Sequence, residues 1–284
     1  MSAAPDAHDP VGRLLDLLDL GAPDGPDRYV VANPDRGYGE RVYGGQVAAQ
    51  ALRAASSTVD APLLVHSLHA YFIRPGRPGV PIVYAVERTR DGRSFATRRV
   101  LATQEDEAIF EVSTSFHVPE DGVDYQQPMA TDVPSPAEAG NVVSFIPDDA
   151  RPYLPMEMLE LGPTEPRADG YVEATRRVWV RLKRPIGDDL AVHRCVLTFL
   201  SDMGALVAAR APVPELALER LMGASLDHAL WFHRPMRADE WFLYELRSVS
   251  NAGARGLAMG TMHSVDGTLG VSMAQEALLR VRRP

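Results

Sequence analysis

The stretch GASLDHALWFHRP, residues 223–235, has a worn counterpart in SLHAYFIRPG, residues 67–76. Laying Phe72-Ile73-Arg74-Pro75 over Phe232-His233-Arg234-Pro235 gives an offset of 232 − 72 = 160. The same offset carries Arg77 onto Arg237 and Tyr84 onto Tyr244. It carries Asp106-Glu107 onto Asp266-Gly267, and Asp-Gly is a strong hairpin signal. No gap is needed from about residue 66 to 118. Turns and strands that recur in phase read as a tandem duplication of one α+β unit.

The patterns around the repeat agree. Residues 9–21 carry helix signals, with Asp9 as cap, Pro10 in the first helical position and Gly21 to close. Within residues 41–59, Val47 to Ala55 predict a helix rich in small side chains (Ala48, Ala49, Ala51, Ala54, Ala55) that can lie close against a sheet. Gly44 and Gly45 precede it; they either let helix-start N–H groups approach a ligand or merely permit a tight turn. Strands are expected at 81–89, 95–104 and 108–118 with no helix between them, which points to an antiparallel sheet wrapped around one helix. Nine of the 23 prolines fall between Pro119 and Pro166, so residues 121–170 read as a linker with short elements, MEMLEL among them. The programme then restarts, with a strand at 173–183, a buried helix at 190–210 and strands at 240–250, 255–264 and 267–281. The units expected are 1–120 and 171–284.

Composition narrows the function classes. The 284 residues are 45% hydrophobic, enough for a sizeable core. A net charge of −9 with no basic tract argues against nucleic acid as partner. Cys195 is the only cysteine, which excludes an internal disulfide and suits a reducing compartment. It reads as a buried small hydrophobe before it reads as a nucleophile. The polar, acidic N-terminus does not resemble a signal peptide, and no apolar run was expected to span a bilayer. A cytoplasmic protein without membrane association is the expectation.

A duplicated fold makes two versions of every site. At offset 160, Gln275 stands where the first copy has Ser115, and Leu226-Asp227 where it has His66-Ser67. Asp202 interrupts an otherwise apolar helical run, while the first helix offers Gln46 and Gln50 and no acid. A carboxylate on such a face needs donors or a wet cleft, unless Ser201-Asp202 begins a helix as its cap. Taken singly, Gln275 reads as a surface amide and Ser225 as a turn residue.

The segments YGGQVAAQAL, HSLHAYFIRPG, RDGRSFATRRV, SLDHALWFHRP and QEALLR closely resemble the type II acyl-CoA thioesterases, the TesB-like group. The resemblance runs from about residue 14 to 282 and preserves motif order and spacing. It implies a double hot dog, two tandem units each with a central helix wrapped by an antiparallel sheet. It also implies a catalytic Asp, hydroxyl and Gln that hold a water, which fall on Asp202, Ser225 and Gln275. The implied substrate is fatty acyl-CoA, in fatty acid metabolism, with no cofactor and no metal. A homodimer or homotetramer is implied as well.

The residues suit that chemistry. No G-x-S-x-G elbow and no H-E-x-x-H is present, so attack by water remains, with Asp202 as base. The oxyanion needs backbone N–H groups, for which Gly44 and Gly45 are candidates. Arg74, Arg77, Arg234 and Arg237 repeat across the units, as phosphate contacts or as solvated loop charges. The alternatives are a non-catalytic acyl-CoA-binding protein and a hot-dog enoyl-CoA hydratase. The hydratase needs an Asp and a His a few residues apart, and no His follows Asp202 within a dozen residues.

Overall fold

The computed structural model describes residues 9–34, 40–139, 151–162, 175–210 and 221–281. Sequence readings at residues 1–8, 140–150, 163–174 and 282–284, much of the expected linker among them, lie outside them. Helix α1 (Pro10–Leu18) starts as expected, the Asp9 carboxylate accepting from Gly12 N at 2.9 Å, and buries Val11, Leu14 and Leu18. In chain order follow β1 (Arg28–Val31), α2 (Gly44–Ser56), β2 (Leu64–Phe72), β3 (Ile82–Asp91), β4 (Phe95–Gln104) and β5 (Glu107–His117). The second half holds β6 (Met156–Glu160), β7 (Thr175–Leu182), α3 (Leu190–Ser201), α4 (Ala205–Arg210), β8 (Leu221–Ser225), β9 (Asp227–Phe232), β10 (Phe242–Ala252), β11 (Arg255–Ser264) and β12 (Leu269–Val281). The MEMLEL segment is thus a strand, and β6 pairs with β7.

All these strands form one antiparallel sheet in the order β1-β3-β4-β5-β2-β9-β12-β11-β10-β7-β6, with β8 beside β12. The two units meet where β2 pairs with β9, Leu68 opposite Leu230. Tyr84 pairs with Ala102 and Tyr244 with Met262, so the offset of 160 holds across each central hairpin. The sheet wraps α2 and α3, which pack on each other. Ala48, Ala49, Ala51, Ala54 and Ala55 are all buried, as a helix enclosed by a sheet requires.

Two expectations need correction. The run 190–210 is two helices, not one, because Gly204 adopts φ +84°, a left-handed conformation that ends a helix. Its 21 residues are also apolar enough in composition to cross a bilayer, contrary to the expectation, yet Cys195, Val196, Leu197, Leu200, Ala205 and Ala208 are buried inside the fold. Second, the ungapped offset fails in the last strand. Ala102 pairs with Phe110 and Met262 with Val271, so 262 − 102 = 160 but 271 − 110 = 161. The later turn holds one more residue, and Gln275 corresponds to Thr114 rather than Ser115. A slip of one residue exchanges sheet faces. Thr114 is buried, whereas Ser115 is only half-buried and meets His66 at 2.8 Å.

Candidate active site

Asp202 does not begin a helix. It closes α3 as its C-cap, just before the turn that Gly204 makes possible. This end of α3 lies against the start of α2. A Cβ on Gly45 would come within 2.4 Å of the Phe199 carbonyl oxygen, and one on Gly44 within 2.9 Å of Asp202 Oδ2. The two glycines are there because the helices approach too closely for a side chain. The contact is polar as well as tight, since Gly45 N donates to Asp202 Oδ2 at 2.9 Å. Asp202 therefore caps α2 from another element, its charge at the positive end of the helix dipole. Tyr43 locks the same junction, its hydroxyl donating to Phe199 O at 2.9 Å.

Ser225, His228 and Gln275 are brought together by a β-bulge. Ser225 pairs with Ala277 and Ala229 with Ala274. Three residues, 226 to 228, thus oppose two, 275 and 276. Strict alternation would send Ser225 and His228 to opposite faces. The extra residue turns both inward, one on each side of Gln275. The first unit carries the same device, a register shift between Val65 and Ser67, but its corresponding residues are Val65, Leu68 and Thr114. The backbone was duplicated; the polar set occurs once.

The structure brings Asp202, Ser225 and Gln275 together. Ser225 Oγ lies 3.2 Å from Asp202 Oδ1, Gln275 Nε2 lies 3.1 Å from the same oxygen, and Gln275 Nε2 lies 2.7 Å from Ser225 Oγ. Gln275 is buried, not the surface amide it suggests alone, and Ser225 ends a strand. A cavity of about 420 Å³ reaches this triangle at Ser225. Ser225, Gly44, Arg41 and Arg74 contribute polar groups to its wall; Val47, Phe72, Ile109, Phe110 and Leu206 give it an apolar lining drawn from both units.

The sequence reading missed His228. It is fully buried, with Nδ1 2.6 Å from Gln275 Oε1 and Nε2 2.7 Å from Ser201 Oγ. Its place beside Ser225 in SLDH was visible, but the bulge that aims it inward was not. Burial holds its imidazole below the usual range, and the Asp202 charge offsets part of that shift. Desolvation of the hydroxyl first and the Asp202 charge second push the phenols of Tyr43, whose ring is partly exposed, and of buried Tyr244 well above their ordinary range, so both remain donors. Tyr244 donates to Ser201 O at 2.5 Å.

Other candidates change role. Gly45 N–H serves Asp202 and is not open to an oxyanion. Arg74 donates to Ala108 O, and Arg77 pairs with Glu105. Arg234 pairs with Asp124, and Arg237 with Asp188 and Asp239. Arg77, Arg234 and Arg237 tie loops together, whereas Arg74 also lines the cavity. Cys195 is fully buried, and burial pushes its thiol up to about 12, so it is no nucleophile.

Comparison with known proteins follows the same division of the chain. Residues 33–117 match the profile described as acyl-CoA thioesterase N-terminal domain, and residues 158–278 the one described as acyl-CoA thioesterase. Acyl-coenzyme A thioesterase 8 of Homo sapiens is 36% identical over 261 residues, covering 86% of this chain and 82% of that protein. Acyl-CoA thioesterase 2 of Haemophilus influenzae is 33% identical over 252 residues, 84% of this chain and 88% of its own. The crystal structure of the acyl-CoA thioesterase II TesB2 from Mycobacterium marinum superposes with a TM-score of 0.82 at 36% identity, covering 94% of this chain and 98% of that one. With both halves matched in order and the doubled helix-and-sheet body in place, the chain belongs to the type II, TesB-like family of acyl-CoA thioesterases.

Proposed function

We propose that this protein hydrolyses fatty acyl-CoA by direct attack of a water held by Asp202, Ser225 and Gln275. The observation that carries the reading is the convergence of these three side chains from three separate elements, with Ser225 lining a largely apolar cavity. Their atoms form a triangle with sides of 3.2, 3.1 and 2.7 Å. A water seated over it lies about 2.8 Å from each corner, within hydrogen-bond range of all three. Asp202 takes the proton as the water oxygen bonds to the thioester carbon. Ser225 and Gln275 orient the lone pair toward that carbon. The C–S bond then breaks, the electron pair leaves on the coenzyme A sulfur, and the proton on Asp202 returns to the thiolate or to solvent. A thiolate leaves readily, so no separate strong acid is required.

The hydratase alternative calls for an imidazole facing the substrate. Both nitrogens of His228 are engaged by Gln275 and Ser201, which disfavours it. The test is release of free thiol from saturated acyl-CoA esters of increasing chain length. Turnover on a subset of lengths is expected; binding without thiol release at every length refutes the proposal.

A further inference from the structure

We infer that His228 is a positioning residue: it fixes the Gln275 amide so that its nitrogen, not its oxygen, faces Asp202 and Ser225. The inference rests on the hydrolytic reading above and concerns a side chain that touches no substrate. His228 sits between two polar groups in a fully buried setting. A neutral imidazole has one donor and one acceptor, so two arrangements are open to it.

In the first, Ser201 O–H donates to Nε2, and Nδ1–H donates to Gln275 Oε1 across 2.6 Å. The Gln275 amide protons then face Asp202 Oδ1 at 3.1 Å and Ser225 Oγ at 2.7 Å, the second turning to the water when it is seated, and Ser225 O–H goes to Asp202 Oδ1 at 3.2 Å. Every link points toward the carboxylate. In the second, Ser201 gives its proton to Thr198 O, 2.8 Å away, and Nε2–H donates to Ser201. Nδ1 must then accept, so the amide turns over and sets its oxygen 3.1 Å from Asp202 Oδ1, lone pair against lone pair. The second arrangement gains one neutral hydrogen bond, Ser201 to Thr198, and loses two, those of the Gln275 amide to Ser225 and to the Asp202 charge. Charge-assisted bonds are about twice as strong, so the carboxylate selects the first. An amide does not pass a proton along this chain, so His228 orients the site without relaying protons. The bulge that sets His228 and Ser225 on either side of Gln275 serves this arrangement.

The test combines a tautomer measurement with kinetics on the full-length protein. Nitrogen-15 NMR of histidine-labelled protein is expected to show His228 as the Nδ1–H tautomer with a bare, pyridine-like Nε2. His228→Leu is expected to lower kcat about 10-fold or more with KM little changed. His228→Asn, whose amide nitrogen falls near the position of Nδ1, is expected to recover most of that rate. It should also leave the acid limb of the kcat–pH profile in place. Combining His228→Leu with Gln275→Ala should be no slower than Gln275→Ala alone. An Nε2–H tautomer, an Asn variant as slow as the Leu variant, or additive losses would each overturn the inference. If His228→Leu does not fold, the tautomer and the Asn variant still decide. If Gln275→Ala is slow while the His228 variants are not, this inference alone fails; if Gln275→Ala keeps its full rate, the hydrolytic reading fails first.

Discussion

Asp202→Asn preserves size and removes the charge, which makes it the sharpest probe of the site. Asp202 receives three donors, Gly45 N at 2.9 Å on Oδ2, with Ser225 Oγ at 3.2 Å and Gln275 Nε2 at 3.1 Å on Oδ1. An amide offers one oxygen. If that oxygen faces Ser225 and Gln275, the new NH₂ opposes Gly45 N–H; if it faces Gly45, the NH₂ opposes the Gln275 amide. Either way a donor meets a donor, at a cost of about 1–3 kcal/mol in stability. The chemical loss is larger. General-base assistance contributes roughly 10²–10⁴ in rate, or about 2.7–5.4 kcal/mol at the barrier. The assay is thiol release at saturating acyl-CoA, with circular dichroism and thermal melting run in parallel. The expected result is a folded protein, melting several degrees lower, with kcat at or below about 1% of wild type. A folded variant that keeps more than about a tenth of the rate refutes Asp202 as base.

Other consequences follow from the same geometry. Ser225→Ala and Gln275→Ala should each slow turnover, and the double variant should lose less than the product of the two, because both hold one water; a fully multiplicative loss, read in kcat, would separate their roles. Gly45→Ala should destabilise the fold by about 1–3 kcal/mol and reduce activity, since its methyl would meet the Phe199 carbonyl at 2.4 Å; an unchanged melting curve would show that α2 and α3 are not held this closely. Cys195, fully buried with its thiol pushed up to about 12, should resist thiol reagents in the native protein and react on unfolding; rapid native labelling would contradict its placement in the core.

The duplication, α1, α2 and the strands β3, β4, β5, β7, β10, β11 and β12 were legible in the chain, because hydrophobic period and turn chemistry are local properties; β1, β2, β8 and β9 were not assigned. So was the acid in an apolar helix, which advertises itself through the cost of burying it. Two local signals misled. The apolar run 190–210 looked continuous, since one glycine in a left-handed conformation costs nothing in composition. The offset of 160 aligned Gln275 with Ser115, since one extra turn residue leaves hydrophobic alternation almost unchanged while reversing the face.

The amino-acid order by itself determined that this is a sheet-and-helix unit made twice, and that the second copy carries an acid in an apolar helical run where the first does not; Ser225 and Gln275 were marked by the family resemblance. Only the tertiary structure decided that they meet. Their convergence depends on one unpaired residue in 226–228, on Gly204 ending α3 at Asp202, and on Gly44 and Gly45 admitting that carboxylate to the start of α2. The physical reason is that strand register and helix-to-helix distance are set by pairing between segments far apart in sequence, and a change of one residue or one methyl group there leaves no mark on the local pattern.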